Sequence, residues 1–403
     1  MQVFISVEEA RSLILDTLSV QETTQLALEE SMGRTLAVDI ESREAIPPFN
    51  NSGMDGYAVL SQDFETIPVT LEVLDEIPAG AVSEIVVKPG TCSKIMTGAP
   101  MPAGADSVAP VEWVIEDNKT HVSFGKAPVF GRNVRKAGQD VKAGEIVINR
   151  GKTVTPPVVG MLATLGYARV DVVTPPTVAV IATGDELIAP GESLTPGKIR
   201  NSSGYALCSQ VLACGGKVLP PLLARDNKES IRRTVEQALA ADVLVFAGGV
   251  SVGDYDLVKN VLDDMGMEML FWKVRQRPGK PLAYGILQGK PVFGLPGNPV
   301  SSAICFDQYV RPAIYSMLGK GELLRPPVKA HLSRDTPKVK GLHFFARGIG
   351  FYDESNRLCV HDTGPQGSNL YSSMVKANCI IHLEEEWEEA SAGTEVNIEW
   401  ITW

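Results

Sequence analysis

ADVLVFAGGVSVGDYD, running from Ala241 to Asp256, joins a short apolar strand directly to a glycine-rich turn that ends in two carboxylates. Glycine lets backbone N–H groups close around an anion. Asp254 and Asp256 would repel that anion unless a divalent cation stood between them. The turn has neither the G-K-[ST] of a P-loop nor the G-x-G-x-x-G spacing of a dinucleotide fold, so it supports neither an ordinary nucleotidase nor an NAD enzyme. It reads as an anion nest on Gly248, Gly249, Ser251 and Gly253, with a tight turn capped by aspartate as the plainer alternative.

Outward from this stretch, Thr177 to Met317 alternates strand and helix. The strands are TVAVIATG, KVLPPLL, DVLVFAG, MEMLFWKV and PVFGLPG; helices are expected at Ser203–Cys214, Lys228–Ala240 and Leu257–Met265, and after PVFGLPG. Near-continuous apolar strands between amphipathic helices specify a mostly parallel sheet covered on both faces, and ligands of such sheets sit beyond the carboxyl ends of the strands. Three more segments fall there. TVAVIATG delivers Asp185 and Glu186 into a loop, suited to a cation or to acid–base work, or to shaping a turn. PVFGLPG runs into Pro296, Gly297, Asn298 and Pro299, where a helix start offers N–H groups to an oxyanion. FWKVRQRPGKP concentrates Lys273, Arg275, Arg277 and Lys280, and continued strand alternation would put the first three on one side. Three glycine-rich strand ends beside this basic run favour a phosphate-rich small ligand.

The flanks differ in character. MQVFISVEEARSLILDTL reads as an amphipathic helix with Ser6 and Glu9 in capping-box register and Val7, Ala10, Leu13 and Ile14 on one side. Tyr57 to about Asp140 gives short β runs, IPVTLEVL, SEIVVKPG, DSVAPVEWVIED and THVSF, and Pro156 and Pro157 mark a helix start. After Pro326 come VKAHLSR, HFFARGIGFYD, RLCVHD, NCIIHLEE and EVNIEWITW. The expected architecture is a multidomain α/β protein: a composite N-terminal domain (1–45 and 141–175), an inserted β domain (46–140), a parallel-sheet domain (176–325) and a C-terminal β domain (326–403). PPFNNSGMDGYAV and IMTGAPMPAGAD hold Asp55 and Thr97 among dense small polar groups, where turn or cap roles are the ordinary reading.

Composition removes several classes. A formal charge of -11 over 403 residues gives no bulk attraction to nucleic acid or an anionic membrane. No segment has the length and purity of a membrane span, and the first residues lack a signal-peptide pattern, so a cytoplasmic location is expected. Cys92, Cys208, Cys214, Cys305, Cys359 and Cys379 lack metal spacing and read as buried free thiols of a reducing compartment. The five histidines show no metal pair.

PPFNNSGMDGYAV, IMTGAPMPAGAD, NVRKAGQDVKAGE, ATGDEL, Arg225-Asp226, GGVSVGDYD, RPGKP, GLPGNPVS and TGPQGSNLYSS stand in one order over nearly the whole chain. In this the sequence resembles the molybdopterin molybdenumtransferase family, which includes the C-terminal domain of gephyrin. The resemblance implies conversion of adenylylated molybdopterin and molybdate to molybdenum cofactor and AMP, with magnesium. It implies Glu186, Asp226 and Asp256 around the metal, and Asp55, Thr97 and Lys280 with them as catalytic residues. It also implies ligand contacts from Gly248, Gly249, Ser251, Gly253, Arg277, Pro296, Asn298, Pro299, Arg347 and Ser368, with Asp140 in the cleft. A homodimer sharing its clefts is implied too, together with a transfer contact to the adenylyltransferase of the preceding step. Asn50 and Gln139 stand where the family commonly has carboxylates, Gly53 where it has alanine and Arg277 where it has lysine. A tungstate-directed paralogue, an adenylyltransferase and a non-catalytic scaffold are the competing readings.

Overall fold

The computed structural model describes residues 1–249 and 257–401, and it divides into two compact units: Met1–Val38, Arg150–Val159 and Ala168–Trp403 in the first, Asp39–Asn149 and Gly160–Tyr167 in the second. Apolar alternation dictates the centre of the first unit. In strand Thr177–Thr183, Val178 and Val180 face one helical layer while Ala179 and Ile181 face the other; Val245 and Leu244 divide likewise in strand Val243–Ala247. With both faces apolar the sheet must be covered twice. Helices Ser202–Ala213 and Pro299–Cys305 cover one face, and Lys228–Ala238 and Leu257–Asp264 the other.

This sheet has eight strands. Across it run Gln2–Ile5, Glu268–Val274, Ala283–Leu287, Lys290–Leu295, Val243–Ala247 and Thr177–Thr183; Lys217–Val218 and Leu222–Ala224 both pair with the last. All pairings are parallel except those of Ala283–Leu287, which is antiparallel to both neighbours. Two successive reversals restore direction, so Glu268–Val274 ends on the same edge as Lys290–Leu295, Val243–Ala247 and Thr177–Thr183.

The structure changes several expectations. KVLPPLL is two strands, because Pro220 and Pro221 offer no N–H to a ladder. LAYGIL adds the antiparallel strand, and the residues before the first helix form an edge strand, leaving the helix at Val7–Leu15 with its Ser6–Glu9 capping box intact. Residues 1–45 also contain strand Thr23–Ala27, paired with Arg169–Val173. Alternation does not carry through the basic run: Lys273 adopts φ +70°, and Arg275 turns to Glu385 at 2.7 Å.

Five strands after residue 326 form a closed ring in the order His343–Tyr352, Leu358–Asp362, Val328–Leu332, Glu395–Trp400 and Cys379–Leu383, the last returning to the first. Closure leaves no ladder edge in the ring. Gln276–Arg277 pairs alongside His343–Phe344. The barrel buries His343, whose Nε2 lies 3.2 Å from His382 Nδ1, and burial foremost, then His382, lowers the His343 pKa to about 3. In the unfolded chain a histidine takes its proton near pH 6.5, whereas folded His343 refuses it until about pH 3. Stability is therefore complete above pH 6.5 and falls as pH drops, by up to about 1.4 kcal/mol per pH unit. Urea titrations at pH 7.5, 6 and 5 should show this slope flattened in His343→Phe; parallel slopes would refute it.

The second unit centres on a six-stranded sheet ordered Ser107–Pro110, Gly56–Val59, Thr91–Ile95, Val69–Ile77, His121–Phe124 and Val114–Asp117. SEIVVKPG is not a strand: TCSKI takes the sheet position, while Ser83 is tied to Asp75 and Val87 N–H to Ala103 O. All six cysteines are free and buried, as their spacing implied. Among the described residues no helix is long and apolar enough to cross a membrane.

Candidate active site

Register aligns the strand ends. Thr183 lies opposite Ala224, Ala182 opposite Ala247, and Ala247 opposite Leu295. The next residues along each strand are therefore Gly184 to Glu186, Arg225-Asp226, Gly248-Gly249 and Pro296 to Asn298, in a row along one edge. Asp185 N–H donates to Asp226 Oδ2 at 3.2 Å, and Asp226 N–H donates back to Asp185 Oδ1 at 3.3 Å. Lys198 Nζ and Arg225 Nη1 both donate to Asp185 O, at 2.5 and 3.2 Å. The acidic turn is thus held from below while Glu186 and Asp226 stay exposed.

Gly184 is required here twice over. Its φ is +149°, and a Cβ on it would lie 2.5 to 2.7 Å from the Glu186 carboxylate. Only the flexible end of Glu186 obstructs, so an added methyl displaces that carboxylate rather than breaking the sheet. Gly184→Ala is expected to keep its fold by circular dichroism, lose about 1 kcal/mol to backbone strain and lose about tenfold in turnover. Unchanged turnover would mean that the place of Glu186 is immaterial.

Gly248 donates its N–H to Leu295 O at 3.0 Å, so the loops after these two strands pack directly together. Ser251, Gly253 and Asp256 lie outside the described residues. Pro296 is buried and Asn298 exposed; Asn298 O accepts from Ser302 N–H at 3.0 Å, and Pro299 opens the helix. The expected oxyanion site at this helix start is partly spent, because Val300 N–H donates to Ser368 O at 3.2 Å. Ser368 therefore meets the strand-end row through its backbone.

Arg277 and Lys280 are exposed on the same edge, with Arg277 Cζ 5.1 Å from the Phe344 ring centre and Lys280 Nζ 4.9 Å from that of Phe4. Their turn is fixed by Gln276, whose Nε2 donates to Gly279 O at 3.0 Å and whose Oε1 accepts from Tyr309. Gly279 itself has φ +90°, and a Cβ there would come within 2.3 Å of Cys305 Sγ. Gln276 escaped sequence reading because nothing marks an uncharged residue between two arginines. Arg347 is fully buried, with Nε on Ser373 Oγ at 3.0 Å and Nη2 on Gly367 O at 3.1 Å. Burial, then the charge of Arg277, lowers its pKa to about 10. Its direct work is to shape the loop carrying Ser368.

In the second unit Asp55 Oδ1 accepts from both the backbone N–H and the hydroxyl of Thr97, each at 2.7 Å. The N–H first, and the hydroxyl next, hold this exposed carboxyl below its usual range. Asn50 Oδ1 accepts from Ala137 N–H at 2.9 Å and Gln139 Oε1 from Lys136 N–H at 3.1 Å, so both amides keep the acceptor role that a carboxylate would have there. Asp140 is exposed, its N–H on Ile46 O at 3.0 Å.

Among the described residues no three His, Cys, Asp or Glu side chains converge as a metal cluster. Glu186 and Asp226 are exposed carboxylates, and magnesium, which retains several waters, needs no more than one or two carboxylates.

Comparison with known proteins agrees over the full length. Three family models match: "MoeA N-terminal region (domain I and II)" over residues 5–166, "Probable molybdopterin binding domain" over 179–316 and "MoeA C-terminal region (domain IV)" over 329–401. The molybdopterin molybdenumtransferase of Haemophilus influenzae is 36% identical over 400 residues, 98% of each chain. That of Bacillus subtilis is 35% identical, over 94% of this chain and 90% of its own. The crystal structure of the molybdopterin biosynthesis MoeA protein from Pyrococcus horikoshii OT3 superposes with a TM-score of 0.85 at 30% identity, covering 99% of this chain and 100% of that one. With identity of this order along the whole length, and with the sheet, the inserted β unit and the closed barrel in place, the chain belongs to the MoeA, or molybdopterin molybdenumtransferase, family of enzymes.

Proposed function

We propose that this protein inserts molybdate into adenylylated molybdopterin, giving molybdenum cofactor and AMP. The observation that carries the reading is the row of strand-end loops in which Glu186 and Asp226 stand beside the Gly248 turn, with Arg277 and Lys280 on the same edge. In a chain of charge -11 that basic pair supplies the local attraction that phosphate and molybdate need. Glu186 and Asp226, with Asp256, would hold magnesium, which supplies charge screening on the phosphoanhydride when bound. The Gly248 N–H is held by Leu295 O, so backbone donors of the glycine turn other than this one would orient the phosphates, while Lys280 and Arg277 neutralise the departing and entering anions. Molybdate and tungstate carry the same charge and nearly the same shape, so molybdate is preferred on family grounds.

The test is direct. Purified protein given adenylylated molybdopterin, magnesium and molybdate should release AMP, followed by chromatography, in step with cofactor formation. No AMP release would overturn the reading; faster release with tungstate would reassign the metal.

Asp55 and Thr97 lie in the other unit, and we assign them to the cleft of a second copy in a homodimer. Light scattering should then give close to twice the 43.3 kDa chain mass. Mixing Asp55→Asn with Asp226→Asn chains should restore AMP release, because one cleft of each mixed dimer is then intact. A mixture as inactive as its components would place both residues in one chain's cleft.

A further inference from the structure

The turn that carries Arg277 and Lys280 is tied at its base, where Val274 N–H donates to Lys280 O at 2.9 Å. Between the two cations stands Gly279, whose carbonyl accepts from Gln276 Nε2 at 3.0 Å and lies 3.7 Å from Cys305 Sγ. Gln276 is fully buried, so its amide must find its partners within the protein. The partner of its Oε1 is the hydroxyl of Tyr309, a residue 1% exposed in the π-helical turn Phe306–Val310. Such wide turns are rare inside helices and frequent at functional sites. Tyr309 follows Cys305 by one turn, and Cys305 Sγ meets the same amide, 3.3 Å from Gln276 Nε2. Thiol and hydroxyl thus grip one side chain from one helix. The ring of Tyr309 is fixed in its turn by Arg11, whose Cζ lies 6.0 Å from the ring centre and whose Nε donates to Gln308 O at 3.3 Å.

We propose that Tyr309 is a positioning residue for anion capture: its hydroxyl orients the Gln276 amide, the amide holds the Gly279 carbonyl, and that carbonyl sets where Arg277 and Lys280 stand. The inference rests on the function proposed above and adds to it the buried part that aims the two cations. The direction of control follows from what each group can do alone. Arg277 and Lys280 are exposed and each rests on a single aromatic ring, Phe344 and Phe4, so their side chains do little to fix the loop. Gly279 has no side chain to anchor it, and its φ of +90° is a conformation that glycine leaves easily. What remains is the amide. If the Tyr309 hydroxyl is removed and its ring kept, Gln276 Oε1 is left in a dry site without a donor, and a buried acceptor in that state costs more than its bond was worth. The amide then turns to find a donor and gives up Gly279 O. Both charges survive such a change, but they no longer converge on one anion, and what suffers is capture of the ligand rather than the chemical step.

The experiment measures AMP release by the parent, Tyr309→Phe, Gln276→Leu and the double variant, varying molybdate and adenylylated molybdopterin in turn with magnesium present. Tyr284→Phe serves as the control for stability alone: it too loses a buried tyrosine hydroxyl from the same unit, one that meets Thr17 Oγ1 at 2.6 Å. Circular dichroism and melting confirm that each variant is folded at the assay temperature. Tyr309→Phe is expected to raise KM for at least one of the two substrates about tenfold while kcat changes by less than about threefold, and Tyr284→Phe to keep the parental KM whatever its melting temperature. Gln276→Leu should raise the same KM, and Tyr309→Phe added to it should contribute less than about a further twofold, because both act through one carbonyl. Parental KM for both substrates in folded Tyr309→Phe would overturn the proposal, and so would a fall in kcat alone, a KM rise shared by Tyr284→Phe, or effects of the two changes that simply multiply. A parent protein that releases no AMP would overturn the functional reading itself, and this inference with it.

Discussion

Asp226→Asn should release AMP about two orders of magnitude more slowly than the parent, close to 3 kcal/mol of lost transition-state stabilisation, while remaining folded. The asparagine amide oxygen can still accept the Asp185 N–H that Asp226 Oδ2 takes at 3.2 Å, so the turn survives. The side chain is exposed, so no core cavity opens. Only the charge is lost, and charge matters most when the phosphoanhydride breaks. Glu186→Gln should behave alike. Single-turnover AMP release with a parallel binding titration decides it; near-parental rates in both variants would reduce these carboxylates to turn-forming groups.

The largest stability effect is expected at Asp307→Asn. Asp307 is 1% exposed, accepts from Arg311 Nε at 3.2 Å, pairs with Arg325 and takes Gln308 Nε2 at 2.9 Å. It lies in a π-helical turn, Phe306–Val310, that interrupts the helix packed under the sheet. Replacing the carboxylate by an amide leaves two guanidinium charges facing a neutral group in a nearly dry site, a loss of about 3–5 kcal/mol. Arg311 also reaches Asp307 O and Leu323 O, at 3.1 and 3.2 Å. Urea unfolding should therefore show a lower midpoint with an unchanged slope, and a loss under about 1 kcal/mol would mean that these carbonyls suffice.

Where local chemistry decides, the sequence was enough to read the fold. The Ser6–Glu9 capping box, the alternation of apolar strand and helix from 177 to 317, and the five β runs after 326 all appear where their patterns put them. What failed depended on distant partners. LAYGIL is too short to declare itself, and becomes a strand because Glu268–Val274 and Lys290–Leu295 leave a slot between them. SEIVVKPG has the composition of a strand but loses its place to TCSKI. Lys273 leaves the expected alternation through a positive φ that no residue type near it announces.

The candidate site divides in the same way. Asp55 and Thr97 read locally as turn or cap residues and became catalytic candidates through the family resemblance; the structure joins them through two hydrogen bonds. Glu186 was legible because strand ends of a parallel sheet are where ligands bind, whereas Asp226 was legible only through the family resemblance. Arg347 was legible as a position but not as a buried one.

The edge strand Gln2–Ile5 also has a bearing on how the chain is made. Its ladder partner, Phe271 to Val274, leaves the ribosome roughly 270 residues later, about a quarter of a minute or more at ordinary synthesis rates. Through that interval Val3, Phe4 and Ile5 have no sheet to join, and the helix behind them has only part of its floor. Early synthesis therefore leaves an adhesive segment waiting for a late one, and translation speed or a holding chaperone would govern yield more than the stability of the finished protein does.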